Sequence, residues 1–267
     1  MSVFVGETEL KRISSFATPI QNLGHKNNLP AYQHCVKADA LRIKNYFFES
    51  IEEYLRAIKF DDRNAEAYKG MGLSYKQIGY YKSAIEAFNS ARKLTPFDKE
   101  LYFEIGYCSL KENDACDAIK NLQKFIKYDE TNTDAQFYLA VAHEMLNESE
   151  MAIDIYNKII DMEPGYIAAH NNLGGLYMRM GQYNDALNVF KEFQYIDKGN
   201  SRALLGMAVA YDKLEQNNNA VRLYKKYMTV DIDSPRSEYI TTRINELRTE
   251  RVKENRFLQH LRLICCG

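Results

Sequence analysis

The feature that most limits what this chain can fold into is a pattern of residue sizes that recurs every 34 residues, without an insertion or deletion. In the clearest copy, Ala65–Asp98, apolar residues recur at spacings of three and four around Tyr68 and again around Phe88. This period places side chains on one face of a helix, so the copy contains two amphipathic helices. Gly79 can take the positive φ that ends the first helix, and Pro96 cannot continue the second. Each copy is therefore predicted to be a helical hairpin.

Three positions keep their size from copy to copy. The second helix opens on a small residue: Ser50, Ala84, Ala118, Ala152, Ala186 and Ala220. A bulky residue follows four positions later: Tyr54, Phe88, Leu122, Tyr156, Phe190 and Tyr224. The first helix carries its own small site: Ala38, Gly72, Gly106, Ala140, Gly174 and Ala208. Helices approach to about 8 Å only where Gly or Ala faces the neighbour, so large and small residues should interlock.

The stride and the residue types resemble the tetratricopeptide repeat family, whose pattern runs aromatic, Leu-Gly, Tyr, Ala, Phe, Pro. The resemblance implies an all-α fold, a right-handed superhelical solenoid of six helix-turn-helix repeats with a C-terminal capping helix. The repeats would span residues 31–64, 65–98, 99–132, 133–166, 167–200 and 201–234. Residues 1–30 would form a partly disordered lead-in or cap, and 235–267 a capping helix with an amphipathic extension.

One hairpin cannot cover its own apolar face, so neighbouring hairpins must cover it, and the stability becomes a sum of repeat and neighbour terms. A bulky residue in place of Ala152 or Gly106 should therefore cost about 1–3 kcal/mol by overpacking. Ser109 and His143 replace the family's Tyr in two repeats, which predicts looser packing there.

The two ends depart from the repeat. In the lead-in, Leu10, Ile13 and Phe16 are spaced for a short helical face, and the segment around Pro30 indicates a loop. The first repeat is the most degenerate, as terminal repeats often are, with polar Lys37 and His34 at sites for large residues. After the last repeat, Ser234 and Pro235 predict a helix start. Ile240, Ile244 and Leu247 give that helix an apolar stripe.

Composition narrows the function classes. The net charge of −1, from 35 basic and 36 acidic residues, gives no reason to expect nucleic-acid binding. Five cysteines at irregular spacing do not form a disulfide framework in a chain of 267 residues, which favours a reducing compartment. No secretory signal or membrane-spanning apolar run is evident, so the prediction is a soluble, cytoplasmic protein.

We find no convergence of acids, bases, nucleophiles or metal ligands, and predict neither an enzyme nor a cofactor or metal site. His143 and Glu144 begin a zinc-protease-like motif, but Asn147 stands where the second His is needed. Cys108 and Cys116 share one repeat without a further ligand, and the glycine-rich run 171–181 lacks the end of a phosphate loop.

The C-terminal Cys265 and Cys266 raise the question of lipidation. Ile264 stands where the prenylation box has its cysteine, so that modification is not predicted. Palmitoylation beside Leu258 and Leu261 is left open as a minor alternative, because a single amphipathic helix binds membrane weakly.

The resemblance implies that the first helix of each hairpin lines a concave wall, where a protein or peptide partner binds. The predicted peptide-binding residues are those not used for interlocking in the middle of the array: Phe103, Tyr107, Lys111, Phe137, Tyr138, Val141, Met145, Asn171, Asn172, Met178, Leu205 and Val209. The family's carboxylate clamp is not predicted. Lys69 matches its first Lys, but Leu73 and Glu104 replace its two Asn residues.

The predicted function is therefore that of an adaptor or scaffold whose groove binds a short apolar or aromatic peptide segment. An alternative reading is a structural subunit of a multiprotein complex, assembled through the outer faces or the C-terminal helix. In that case the groove is unused or filled by the chain itself.

Overall fold

All regular structure in residues 28–249, the part of the chain that the computed structural model describes, is α-helical. The predicted features at Leu10, Ile13, Phe16, Leu258 and Cys265–Cys266 lie outside these residues. The chain divides into two compact units, Met1–Asn147 and Glu148–Gly267. Among the described residues, no helix has both the length and the apolar character to cross a membrane.

From residue 28 onward, the first unit contains three helical hairpins and one further helix. These are α1 (Leu29–Ile43), α2 (Phe47–Phe60), α3 (Ala65–Gln77), α4 (Tyr81–Leu94), α5 (Lys99–Lys111), α6 (Ala115–Ile126) and α7 (Thr133–Met145). The second unit contains α8 (Ser149–Met162), α9 (Ile167–Arg179), α10 (Tyr183–Ile196), α11 (Ser201–Lys213), α12 (Asn217–Val230) and α13, over 237–249. The helices fall at the predicted stride, and the predicted all-α repeat fold is confirmed.

The turns inside the hairpins share one backbone conformation. Six residues spaced 34 apart have positive φ: Asn45, Gly79, Asn113, Asn147, Gly181 and Glu215. Gly adopts this left-handed region without cost and Asn tolerates it, so the first five fit their conformation. Glu215, at φ 58°, is the one residue of the series whose side chain is unsuited to it.

The small and large positions interlock as predicted. The second-helix small sites and the bulky residues four positions later are all buried, with at most 5% of their surface exposed. A methyl group added at Gly72 would lie 2.6 Å from the Phe88 ring, and one at Gly106 would lie 2.7 Å from Leu122. These distances are shorter than any van der Waals contact, so only glycine fits these two sites.

The bulky residue of the second helix also contacts the following hairpin, which the sequence pattern did not predict. A methyl group at Gly206 in α11 would lie 2.5 Å from Phe190 in α10, while Gly174 in α9 approaches the same ring from its own hairpin. Tyr54 and Gly70 make the equivalent contact between α2 and α3. Each bulky residue can therefore join two neighbouring hairpins.

The degenerate first repeat replaces apolar packing with a polar network. Glu53 of α2 is 3% exposed and lies 2.6 Å from Nδ1 of His34 and 2.8 Å from Nζ of Lys37, both in α1. Burial alone would raise the pKa of Glu53, but the hydrogen bonds from Lys37 and His34 outweigh it, and the pKa lies below its usual range. The polar residues at these sites thus satisfy one buried carboxylate.

Two boundaries and one packing expectation need correction. Pro30, predicted as part of a loop, lies in the first turn of α1, which is capped by Asn28. The last helix starts at residue 237 instead of at Pro235. Buried Ser234 still caps the turn before it, because its hydroxyl accepts a hydrogen bond from the N–H of Arg236 at 3.3 Å while also bonding to Tyr227. Ser109 and His143 are only 1% and 7% exposed, so the looser packing predicted for them is wrong. Ser109 instead donates a hydrogen bond to Asp117, at 3.0 Å.

The C-terminal helix packs as predicted, with Ile240, Ile244 and Leu247 buried in the core of the second unit. Arg243 fixes it further through two hydrogen bonds to the Asp212 carboxylate in α11, at 2.8 and 3.0 Å. Tyr224 donates a third to the same carboxylate, at 3.1 Å. Burial alone would raise the pKa of Asp212, but these bonds outweigh it and the pKa lies below its usual range.

Candidate functional site

The predicted site residues of the first unit lie on α5 and α7, where four aromatic rings make contact. The ring of Tyr138 is central, with centroid distances of 5.1 Å to Tyr107, 5.7 Å to Phe137 and 5.9 Å to Phe103. All four side chains are half-buried. A ring that contacts other rings on one side and solvent on the other can stack against an incoming apolar side chain.

Two of these rings also serve packing. Phe103 lies 5.2 Å from Phe125 of α6, and it bridges from there to Tyr138 of α7. It therefore covers the neighbouring helix while keeping part of its surface exposed. Val141 is half-buried and Met145 is 37% exposed on the next turns of α7.

The rings border an open groove of about 430 Å³, which we call the aromatic groove. It is lined by Lys76, Gln77, Tyr81, Phe103, Tyr107, Asp134 and Tyr138. Three of the predicted site residues, Phe103, Tyr107 and Tyr138, belong to this lining. The volume falls within the range of ordinary ligand pockets, about 300–1,000 Å³.

Cationic groups surround the Tyr107 ring. The ammonium of Lys111 lies 5.3 Å from its centroid and that of Lys76 lies 5.6 Å from it, both within cation–π range. Lys76 also pairs with Glu104 at 2.6 Å. Burial raises the pKa of the Tyr138 phenol, with smaller contributions from Tyr107 and the charge of Asp134. The Tyr138 hydroxyl is therefore a hydrogen-bond donor at neutral pH.

Sequence reasoning missed four residues of the lining: Lys76, Gln77, Tyr81 and Asp134. Lys76 and Gln77 end α3, and Asp134 lies in the first turn of α7, whereas Tyr81 begins α4, the second helix of its hairpin. The ring of Tyr81 lies 6.4 Å from that of Tyr107. The available signal was that Lys76 and Asp134 lie on α3 and α7, which are first helices and which the family resemblance places on the same wall as Phe103 and Tyr107.

The predicted site residues of the second unit lie on α9 and α11. Asn172 donates a hydrogen bond to the hydroxyl of Tyr156 at 3.0 Å, so part of its amide is already used. The side-chain oxygen of Asn171 is buried without a hydrogen-bond partner among the described residues. Met178, Leu205 and Val209 pack as partly buried residues against the core of this unit. These five residues stay a prediction.

The other candidate chemistry of the sequence has structural explanations. His170 is fully buried, stacks on Phe193 at 5.0 Å and bonds to the Pro164 carbonyl at 2.8 Å. Burial raises the pKa of Cys108 to about 12, so its thiol stays protonated. Between residues 28 and 249, His, Cys, Asp and Glu side chains form no cluster that could hold a metal ion. Lys69, the first residue of the excluded carboxylate clamp, is paired with Asp98 at 2.7 Å.

Comparison with known protein families finds helical repeats along the chain. A family model described as "TPR repeat" matches residues 38–79, and one described as "Tetratricopeptide repeat" matches residues 110–167. A third, with the latter description, matches residues 65–98 and 167–200. The boundaries of this third match coincide with two of the predicted repeats.

Among similar proteins, BBSome complex member BBS4 of Bos taurus is 27% identical over 190 residues, which are 69% of this chain and 36% of that protein. The chain thus spans little more than a third of that relative. Among solved structures, MamA is 26% identical with a TM-score of 0.59, covering 66% of this chain and 94% of MamA. YrrB, described as a TPR protein with an unusual peptide-binding site, is 23% identical with a TM-score of 0.60, covering 65% and 90%.

Proposed function

Because this chain belongs to the tetratricopeptide repeat family, we propose that it is a protein-interaction adaptor or scaffold. The finer proposal is that the aromatic groove of the first unit binds a short apolar or aromatic segment of a partner protein. The observation that carries it is the convergence of Tyr81, Phe103, Tyr107 and Tyr138 around one open groove. The matched repeats are helical scaffolds, and we assign the chain no reaction.

A few anchor residues would supply the binding energy of such a complex. Burying one large apolar side chain gains about 1.5–3 kcal/mol, and a micromolar complex needs about 8 kcal/mol. Two or three anchor residues of a partner would therefore suffice, with backbone hydrogen bonds to groups such as Gln77 and the Tyr138 hydroxyl. YrrB, a solved protein of this fold, is described as carrying a peptide-binding site, which supports the proposal.

The predicted residues outside the groove extend this proposal. Lys111, Phe137, Val141 and Met145 would continue the binding surface along α5 and α7, and Asn171, Asn172, Met178, Leu205 and Val209 would offer a further surface on the second unit. Each group can be tested alone by substitution.

The experiment is a selection of peptides from a random displayed library on the whole protein, followed by binding measurements by fluorescence anisotropy. Tyr107→Ala with Tyr138→Ala should weaken the selected peptides at least tenfold, because aromatic anchors at interfaces contribute about 1–3 kcal/mol each. Phe97→Ala is the matched control, since Phe97 is 86% exposed and lies outside the groove. Circular dichroism of each variant reports whether the helices are retained. Folded variants with unchanged affinity would refute the groove proposal.

A second candidate is a structural subunit of a larger complex, which the similarity to BBS4 favours because that relative is named as a complex member. The two candidates differ in what the groove variant does. Stable partners recovered with the tagged protein should be lost from Tyr107→Ala with Tyr138→Ala if the groove binds them. If they persist there but are lost when residues 250–267 are deleted, a variant that keeps the buried Ile240, Ile244 and Leu247, the C-terminal region assembles the complex.

A further inference from the structure

The second unit carries a strongly cationic groove between α12 and α13 that the proposed peptide function does not use. This basic groove, of about 500 Å³, is lined by Asn217, Asn218, Val221, Arg222, Lys225, Leu247 and Arg248. Three of these residues are cations and none is an acid. The protein as a whole is nearly neutral, so this concentration of charge is local.

The cations of the basic groove are available. Arg222, Lys225 and Arg248 are all exposed, and none of them forms an ion pair with another described residue. The helix α12 has no acidic residue from Asn217 to Val230, so the cations are not neutralised along their own helix. By contrast, Lys69 and Lys76 of the first unit pair with Asp98 and Glu104, at 2.7 and 2.6 Å.

Two carboxylates close to α12 and α13 in sequence are committed elsewhere. Asp212 accepts two hydrogen bonds from Arg243, and Glu246 pairs with the same guanidinium at 2.9 Å. On α13, Glu246 and Arg248 flank the buried Leu247, and because successive residues of a helix point about 100° apart, they face opposite sides. Arg243 therefore joins α13 to α11 and pairs with Glu246, whereas Arg248 lines the basic groove.

The lining also contains groups suited to a peptide backbone and one apolar side chain. Asn217 and Asn218 offer amides that can both donate and accept hydrogen bonds. Half-buried Val221 gives the floor an apolar surface beside Leu247. We propose that the basic groove binds an acidic segment of a partner protein, in which Asp or Glu side chains flank an apolar residue.

Charge argues against other occupants. Residues 250–267 carry Arg251, Lys253, Arg256 and Arg262 against Glu250 and Glu254, so this part of the chain adds positive charge instead of complementing it. A nucleic acid normally requires a much larger basic face than three cations, and the sequence pI is about 6.5. An acidic peptide can pair its carboxylates with the three cations and hydrogen-bond its backbone to the amides of Asn217 and Asn218.

The test measures fluorescence anisotropy of a labelled peptide, Asp-Glu-Asp-Leu-Glu-Asp, with the whole protein. The matched probe Asn-Gln-Asn-Leu-Gln-Asn has the same shape without charge. We expect the acidic probe to bind, its affinity to fall with added salt, and the neutral probe to bind at least tenfold more weakly. Arg222→Glu with Lys225→Glu should weaken the acidic probe at least tenfold as well.

Lys226→Glu is the control variant, because Lys226 is exposed on the same helix but does not line the groove. It should change the affinity by less than about threefold. An acidic probe that fails to bind, or that responds equally to the control variant, overturns the proposal. Tighter binding of a single-stranded oligonucleotide, an anionic vesicle or a labelled peptide of residues 250–267 also overturns it, in favour of that occupant.

Discussion

Two glycines that hold one aromatic ring give the sharpest test of the packing. Phe190 of α10 lies between Gly174 of α9 and Gly206 of α11, and a methyl group at either glycine would lie closer than 3.0 Å to the ring. The ring cannot move away from one helix without meeting the other. Gly174→Ala should therefore be overpacked by about 1–3 kcal/mol.

The adjacent Gly175 supplies a matched control. A methyl group there meets only the end of the Arg179 side chain, at 3.7 Å, so Gly175→Ala should gain the helix propensity of alanine, about 1 kcal/mol. Gly174→Ala gains the same propensity but also suffers the overpacking. The two variants should thus differ by about 1–3 kcal/mol in the free energy of unfolding.

Urea unfolding followed by circular dichroism measures this difference, as a shift of the midpoint at constant slope. Phe190→Leu combined with Gly174→Ala provides an independent check, because the shorter side chain removes the ring atoms that clash. The double variant should be less destabilised than the sum of the two single variants. If Gly174→Ala proves as stable as Gly175→Ala, the ring is not held between the helices and the packing argument fails.

Three further predictions concern single residues. Glu215→Gly should raise the free energy of unfolding by about 0.5–1 kcal/mol. Glu215 has a φ of 58°, which costs a residue with a side chain about 1–2 kcal/mol, and Gly offsets part of this gain through its larger unfolded-state entropy. A lower urea midpoint for the variant would contradict this prediction. Since the folded pKa of Asp212 is depressed, its contribution to stability is present above its unfolded pKa of about 4 and is lost as the pH falls through the folded value. Asp212→Asn should therefore lose less stability than the native protein as the pH is lowered below about 4, and equal losses in thermal scans would exclude this role. Alkylation of the native protein, mapped by mass spectrometry, should modify exposed Cys116 well before Cys108, because burial raises the pKa of Cys108 to about 12. Equal rates of modification would show that α5 opens readily.

The repeat and its interlocking residues were readable from the sequence because they depend on spacing alone. A small residue at Ala84 and a bulky one at Phe88 must face the interior wherever the period of 34 holds, and both are fully buried. The turn at Gly79 followed from the same spacing. The boundary of the last helix was predicted two residues early: Ser234 does act as a cap, but the two residues after it form a turn and the helix starts at residue 237.

The candidate site was predictable only in part. Phe103, Tyr107 and Tyr138 could be located because the first helices of this family are implied to face one wall, and these rings do meet. Tyr81 could not, because it begins α4, a second helix, and reaches the groove only through the way in which the hairpins pack. The basic groove depends on the direction in which α13 packs, which no local pattern specifies.

The sequence by itself determined the helical hairpin, its length and the residues that must be buried, because local periodicity and side-chain size act within one or two turns of a helix. Only the tertiary structure decided which rings meet, that Phe190 touches two hairpins, and which cations remain without acidic partners. Those outcomes depend on the distances between neighbouring helices, and such distances arise from the packing of many side chains together.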